Sequence, residues 1–381
     1  MTGPFHPRSP RAGALGCLVA VSILSGCAAR PGPQVLEPIP ASVEGARTVT
    51  VHVATTRERE APDGSQFTSR RAAATNYATY DISIPPVHRP GAIEWPDAEP
   101  SAATSFVTIR RAMLDRPAFE QGVAGAADRR RPRRIGVFVH GFNTSFQEAL
   151  YRLAQMAADA DLGGVPVLFA WPSVARVTGY LEDKEAATYS RDALAALLAG
   201  LARDGMAEEV VLVAHSMGGW LAVEALRQLR LTGRDDLLAR LSVVLAAPDI
   251  DVDVFRAQMQ VIGRLPTPLV LLVSSDDRAL GVSSFLTGDR QRLGAIGIVA
   301  RAVQDAAVKA NVQVIDISSL EASDRMNHDR YLSLVALYPR LAAAGDGKAG
   351  GLRRAGAFVF NAVGAALSSP FELAGRAIAG D

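Results

Sequence analysis

The sequence predicts an α/β fold: a mostly parallel central sheet with helices on both faces and an antiparallel edge at its N-terminal side. Two patterns carry this. Between residues 135 and 317 the short runs IGVFV, VPVLFAW, VVLV, LSVVLA, PLVLLV and VQVIDI alternate with stretches of helical periodicity. Continuous apolar runs of this length suit strands buried on both faces, and strands alternating with helices imply right-handed crossovers and a parallel sheet. Before them, TVTVHVAT (Thr48–Thr55), Tyr77–Ile84 and Ser105–Ile109 read as three strands with no helix between them, hence an antiparallel edge.

With 381 residues, 49% of them apolar, the chain can bury one large core and still carry extensions. Its 40 basic and 39 acidic residues nearly cancel, so charge gives no reason to expect nucleic acid. Cys17 and Cys27 are the two cysteines and both lie near the N-terminus. The folded body therefore has no disulfide framework, cysteine nucleophile or cysteine-based zinc site. The metalloprotease pattern HExxH and the phosphate loop GxxxxGK[ST] are absent, so neither a metal nor a cofactor is expected.

In chain order, residues 1–26 read as a signal peptide: Arg8 and Arg11 precede an apolar run, Ala14 to Leu24, too short to span a bilayer comfortably. Leu24-Ser25-Gly26-Cys27 resembles a bacterial lipobox, which would make Cys27 a lipidated N-terminus and place the protein in the cell envelope. Ala28 after the cysteine points to the outer membrane. Residues 27–47, rich in proline, read as a tether lifting the body off the lipid. The body spans 48–342, with edge strands in 48–110, a polar, turn-rich stretch at 56–76, and His52 and His88 as surface or edge histidines. Arg129 to Arg134 form a basic, solvated loop. A strand at 135–139 leads to His140-Gly141-Phe142-Asn143, then a helix at 144–160, the strand VPVLFAW, an interruption at 174–184 and a helix at about 185–201. Further strands end at Ala246 and Val273, with a helix near 251–263 between them. Residues 278–310 read as an insertion holding a helix. The last strand, VQVIDI, precedes Asn327-His328 and a helix through Leu337. Residues 343–381 read as a glycine-rich linker and an amphipathic tail.

The stretch EVVLVAHSMGGWLAVEALRQLR (209–230) organises the rest. A strand that turns within two residues into a helix, with a serine at the corner, is the nucleophile elbow of α/β-hydrolases. Strand and helix nearly collide there, so small residues must flank the serine at two positions' remove; Ala214 and Gly218 supply them. Ser216 is the expected nucleophile. The triad order is nucleophile, acid, histidine, and among six histidines only His328 follows Ser216, so His328 is the expected base. The acid belongs after PLVLLV, which leaves Asp277, favoured by the Arg278-Ala279-Leu280 that follows it, or Asp276; Asp249, one strand earlier, is the third candidate. Oxyanion donors are expected at the amides of Met217 and of Phe142, with Asn143 the alternative. His140 would hold its loop and His215 fill the elbow. Trp171, Tyr180 and Trp220 would line a substrate pocket or pack in the core.

VFVHGFNTSFQEALYR, VLFAWPS, VAHSMGGW, LAAPDID and VSSDDRAL over residues 135–330, with VHVATTRER and DISIPPVHRPGAIEWP before them, resemble a family of uncharacterised, esterase-like bacterial α/β-hydrolases, often lipoproteins. The resemblance implies serine esterase activity without a cofactor on a small-molecule or lipid ester, and leaves the natural substrate and oligomeric state open. The alternatives are acyl transfer or thioester cleavage on the same triad, and a non-catalytic binding lipoprotein of the envelope.

Overall fold

The computed structural model describes residues 30–40, 43–129, 132–160, 164–297 and 301–336. The signal, Cys27 and the tail of 343–381 lie outside these residues. Nine strands form one sheet: β1 (Arg47–Arg59), β2 (Phe67–Ile84), β3 (Val107–Leu114), β4 (Arg134–Val139), β5 (Gly164–Ala170), β6 (Glu209–His215), β7 (Leu241–Ala246), β8 (Leu269–Val273) and β9 (Val312–Asp316). Their spatial order is β3-β2-β1-β5-β4-β6-β7-β8-β9. β3, β2 and β1 pair antiparallel and every junction from β1–β5 onward is parallel, the predicted fold class with its predicted edge.

The helices of the described residues are α1 (Arg116–Asp128), α2 (Phe146–Ala160), α3 (Tyr180–Tyr189), α4 (Arg191–Leu201), α5 (Met217–Leu231), the short α6 (Asp235–Leu238), α7 (Val252–Ile262), α8 (Arg278–Leu286) and α9 (Arg301–Ala310), and residues 331–336 are helical as well. They cover both faces because the strands project apolar side chains both ways. Val137 and Val139 of β4 join one core with Phe119, Leu198 and Leu226, while Phe138 between them joins the other with Leu150 and Tyr331. That two-sided demand is why the parallel strands read as unbroken apolar runs.

Three expectations are corrected. Residues 56–76 are not turn-rich: β1 runs to Arg59 and β2 starts at Phe67, so a long two-stranded ribbon replaces the loop. Here the strands pair with each other beyond the core, and the cross-strand hydrogen bonds do not require apolar alternation. His52 is buried, and His88, half-buried as a residue, has its side chain largely covered, so neither is superficial. His52 lies edge-on to Phe119 at 6.2 Å, and the His88 ring bridges Glu94 and Asp159 at 2.7 Å each. Residues 30–40 are not a tether held off the body. Val35 and Leu36 are buried in the core, Tyr151 donates to Val35 O at 2.7 Å, and Ile39 N donates to Thr108 O at 3.0 Å. The prolines there terminate repeating structure without preventing burial.

The connections fix where a site forms. From β4 the chain moves outward to β5, whereas from β6 it moves the other way to β7. The loops leaving the carboxyl ends of β4 and β6 therefore diverge and open a crevice between adjacent strands, the switch point at which open α/β sheets bind ligands.

Candidate active site

Ser216 stands at this switch point, one residue beyond β6, with φ 53° and ψ −121°. A non-glycine residue at positive φ costs on the order of 1–3 kcal/mol and persists only where its surroundings impose it. They do so here: Ser216 N donates to Ala246 O at 2.9 Å, and Ser216 O accepts from Gly219 N at 2.9 Å and Asp249 N at 3.1 Å. The corner is thus pinned to the end of β7 and into the first turn of α5. A Cβ on Gly218 would lie 2.4 Å from His140 O and 2.7 Å from Val139 O, which is the steric demand read from the sequence.

Beside the serine runs the loop after β4. A Cβ on Gly141 would come within 3.0 Å of Ser216 Cβ, so this backbone lies directly against the serine side chain. His140 anchors the loop: its ring stacks on Trp171 at 4.8 Å, its nitrogens face Gly141 O at 2.9 Å and Trp171 O at 3.1 Å, and Trp171 Nε1 donates to His140 O at 2.8 Å. Burial, and then the charge of Arg57, push its pKa down to about 3 against the pull of the two carbonyls. His140 is a neutral brace.

Asp183 sets the direction of the loop. Its carboxylate accepts from Asn143 N at 3.1 Å, Ser173 Oγ at 2.6 Å and Val174 N at 2.7 Å, and Arg57 braces the same turn by donating to Thr144 O at 3.0 Å. The Asn143 amide is thereby engaged, while among the described residues the Phe142 amide donates to no protein acceptor. Met217 opens α5, where amides lack partners within the helix.

His328 and Asp277 arrive from later loops. His328 Nδ1 lies 2.7 Å from Asp277 Oδ2, and Asp277 Oδ1 accepts from Leu280 N at 2.9 Å, capping α8. The His328 ring packs 4.6 Å from the ring of His215, the neighbour of Ser216, and His215 Nε2 approaches His328 O at 3.3 Å. Asp277 is fully enclosed, with no exposed side-chain surface, whereas the His328 side chain keeps 15% of its surface open to solvent. Burial opposes the cation on His328, but the hydrogen bond to Asp277 and the charges of Asp277, Asp324 and Asp249 outweigh it, so its pKa is raised. His215 shows the converse: burial, then the adjoining His328 charge, hold its pKa well below the ordinary value.

The other two aspartates are committed elsewhere. Asp276 forms a two-point ion pair with Arg330 and accepts from Ser274 Oγ at 2.8 Å and Asn327 Nδ2 at 3.0 Å. Chiefly through Arg330, its pKa sits far below the usual carboxylate range. Asp249 is buried among Tyr180 OH at 2.8 Å, Ser283 Oγ at 2.6 Å and Arg292 Nε at 3.3 Å. Of the aromatics, Trp171 is locked in the core on His140, Tyr180 ties α3 to α8, and Trp220 carries the Lys184 ammonium 3.6 Å from its ring centre.

Asp183 and Arg57, and the Ser283 and Arg292 that bind Asp249, carried no sequence signal. Each acts through partners more than ten residues away or across a stretch without periodicity. A cleft of about 840 Å³ opens at the opposite edge of the sheet, where β1 parts from β5 below the His52–Val167 pairing. It holds none of Ser216, Asp277 or His328, so volume is a poor guide to the chemistry here. Among the described residues no group of three His, Cys, Asp or Glu is arranged to hold a metal ion.

The doubly covered sheet, with a serine at the strand-to-helix corner of its switch point, is an α/β-hydrolase fold. The chain belongs to the family described as alpha/beta hydrolase of unknown function (DUF900), whose model matches residues 116–344. Comparison with curated proteins returns no match. Among solved structures it is similar to an acetylxylan esterase at 13% identity, covering 54% of this chain and 96% of the other with a TM-score of 0.29. It is also similar to a protein from Agrobacterium vitis S4 provisionally called a hydrolase, at 14% identity, covering 71% and 95% with a TM-score of 0.29.

Proposed function

We propose that this hydrolase is a serine esterase that cleaves carboxylic esters through an acyl-enzyme on Ser216. The observation that carries the reading is the 2.7 Å contact of Asp277 with His328, whose ring packs against the residue next to a serine held at φ 53°. A buried carboxylate on Nδ1 fixes the tautomer that leaves Nε2 as proton acceptor and stabilises the cation that forms. Ser216 Oγ attacks the ester carbonyl carbon and passes its proton to His328. The carbonyl oxygen becomes an oxyanion that takes hydrogen bonds from the Met217 and Phe142 amides. Collapse expels the alcohol, which leaves with the proton from His328. Water, deprotonated by His328, then attacks the acyl carbon, releases the carboxylic acid and restores Ser216. The aqueous exposure of His328 and the dryness of Asp277 suit these roles. Cys27, three residues before the first described residue, is the proposed site of a lipid anchor in the cell envelope, with the outer membrane as its location.

The test is labelling by a fluorophosphonate probe together with hydrolysis of p-nitrophenyl esters of increasing acyl length. Both are expected from the wild type and both are expected to vanish in Ser216→Ala. Hydrolysis surviving in Ser216→Ala would sink the reading.

A further inference from the structure

Arg30, the first described residue, lies on the loop next to the serine. It donates to Asn143 O at 2.6 Å, Asn143 Oδ1 at 2.7 Å and Ala175 O at 2.6 Å, and pairs with Glu148 through Nε at 2.8 Å. From there the chain stays on the body, with Gln147 Nε2 donating to Pro31 O at 2.6 Å. The N-terminal segment therefore joins the body at the carboxyl edge of the sheet, on the residue following Phe142. Two residues, Ala28 and Ala29, separate Cys27 from Arg30, and the three steps between those Cα atoms reach at most about 11 Å when fully extended. A lipid on Cys27 holds the catalytic edge within about the depth of a headgroup layer from the hydrocarbon.

That edge carries exposed apolar side chains. Val177 and Leu181, before and within α3, are 74% and 76% exposed, and Phe285 on α8 is 75% exposed beside Val282 and Leu286. Met326, also exposed, precedes His328 by two residues. The two groups adjoin, because Tyr180 OH meets Ser283 Oγ at 2.9 Å, and α8 is capped by Asp277 itself. Apolar surface gathered in one region, rather than scattered singly, marks a contact surface.

We infer that the protein lies with its catalytic edge on the bilayer that holds its anchor, the α3–α8 rim dipping among the headgroups, and that its substrate is an ester of a lipid in that bilayer. The inference rests on the reading of Ser216 as nucleophile and Cys27 as lipidated. The short lead from Cys27 to Arg30 selects the bilayer as occupant of the rim over a second copy of the chain or another protein.

The test uses the full chain, purified with its lipid and reconstituted in phosphatidylethanolamine–phosphatidylglycerol vesicles. The body has no cysteine of its own, so a fluorophore can be placed on Phe285→Cys or, at the opposite edge in the loop leading into β6, on Asp204→Cys, a residue 91% exposed. Brominated lipid is expected to quench the probe at 285 roughly fivefold more than at 204, as for an apolar face buried in the headgroup boundary. A fluorogenic long-chain glycerol ester in the vesicles is expected to turn over about tenfold faster with anchored protein than with Cys27→Ser protein added from solution. Equal quenching at the two positions, an intact mass without acyl chains, self-association that shields 285, or equal rates for the two proteins would each overturn the inference. Hydrolysis of p-nitrophenyl acetate by the same samples reads Ser216 chemistry separately: its loss sinks the esterase reading, while its persistence with failed quenching sinks only the orientation.

Discussion

Asp277 grips His328 and the first turn of α8 at once: one carboxylate oxygen lies 2.7 Å from His328 Nδ1 and the other accepts the Leu280 amide at 2.9 Å. The acid is thereby fixed by the helix it caps, and the imidazole inherits that rigidity. Asp277→Asn removes the charge and offers the ring a competing donor. Turnover of p-nitrophenyl acetate is expected to fall roughly 10³- to 10⁴-fold with little change in KM, as for other triads that lose the tautomer-fixing acid. Asp276→Asn removes one side of the Arg330 pair instead; it is expected to lower Tm and leave turnover within a few-fold. Equal catalytic losses in the two variants would reverse the assignment.

In the proposed mechanism His328 is a base only when neutral, and its pKa is raised because Asp277, Asp324 and Asp249 outweigh its burial. The expected kcat/KM therefore rises with pH through a single ionisation above the ordinary histidine value of about 6.5 and then levels. Asp277→Asn is expected to move that ionisation downward. A profile for the wild type that is already flat at pH 6 would contradict the charge environment described.

Stability should respond to acid in the opposite sense to this one histidine. Burial, with a smaller push from Arg129, outweighs the opposing charge of Asp81 and lowers the His52 pKa to about 4; His140 falls to about 3, and His215 lies well below normal. Groups with depressed folded pKa contribute stability that is present above their unfolded pKa and lost as pH falls toward the folded one. For His328, with a raised folded pKa, the contribution is present below the unfolded value and lost as pH rises through the folded value. Three act against one, so the urea midpoint is expected to drop between pH 6.5 and 4. His52→Leu, which cannot take up the proton, is expected to make the drop shallower. An unchanged slope would mean that His52 is solvated in the folded state.

Much of this was legible in the sequence because it depends on local pattern or on order along the chain. The elbow is written in six consecutive residues, and the proposal of His328 as base starts from its being the one histidine after the serine. The fold class follows from apolar runs that only a doubly covered sheet explains. What was not legible depends on partners distant in the chain. Arg57 lies in a stretch that reads as polar loop because a charged residue gives no sign of burial, yet it is enclosed and donates to Thr144 O, 87 positions away. The segment 30–40 reads as a tether because prolines and absent periodicity do not reveal burial, yet Leu36 is fully enclosed. Residues 185–201 read as one helix, but Ser190, donating to Ala186 O at 2.8 Å, divides α3 from α4 and moves the start back to Tyr180.

Asp183 offers a test of the proposed oxyanion loop that touches neither the proposed nucleophile nor the proposed base. Burial raises its pKa against its hydrogen bonds from Ser173, Val174 and Asn143, so it is held by donors that an amide would meet with only one acceptor oxygen. Asp183→Asn is expected to let the Phe142 amide drift, lowering kcat about 10- to 100-fold while KM changes little, since an oxyanion donor acts mainly in the transition state. The rate of fluorophosphonate labelling should fall in parallel, because phosphonylation builds the same anion. Normal labelling with a raised KM would assign Asp183 to substrate binding instead.

Gly218 separates sterics from chemistry. A methyl group there would meet His140 O at 2.4 Å and Val139 O at 2.7 Å, and both are backbone atoms at the end of β4 with no side-chain freedom to yield. Relief requires α5 to lift from the sheet, dragging Ser216 with it. Gly218→Ala is therefore expected to cost more than about 3 kcal/mol, in the range of buried overpacking, and to appear as loss of soluble protein or a large fall in Tm. At the matching position before the serine, Ala214 already carries its methyl group within a filled core. Ala214→Gly is expected to cost only about 1 kcal/mol from lost packing and added chain entropy, with turnover retained. A well-folded, active Gly218→Ala protein would show that the corner has slack, and the positive φ of Ser216 would then need a cause other than the close approach of α5 to β4.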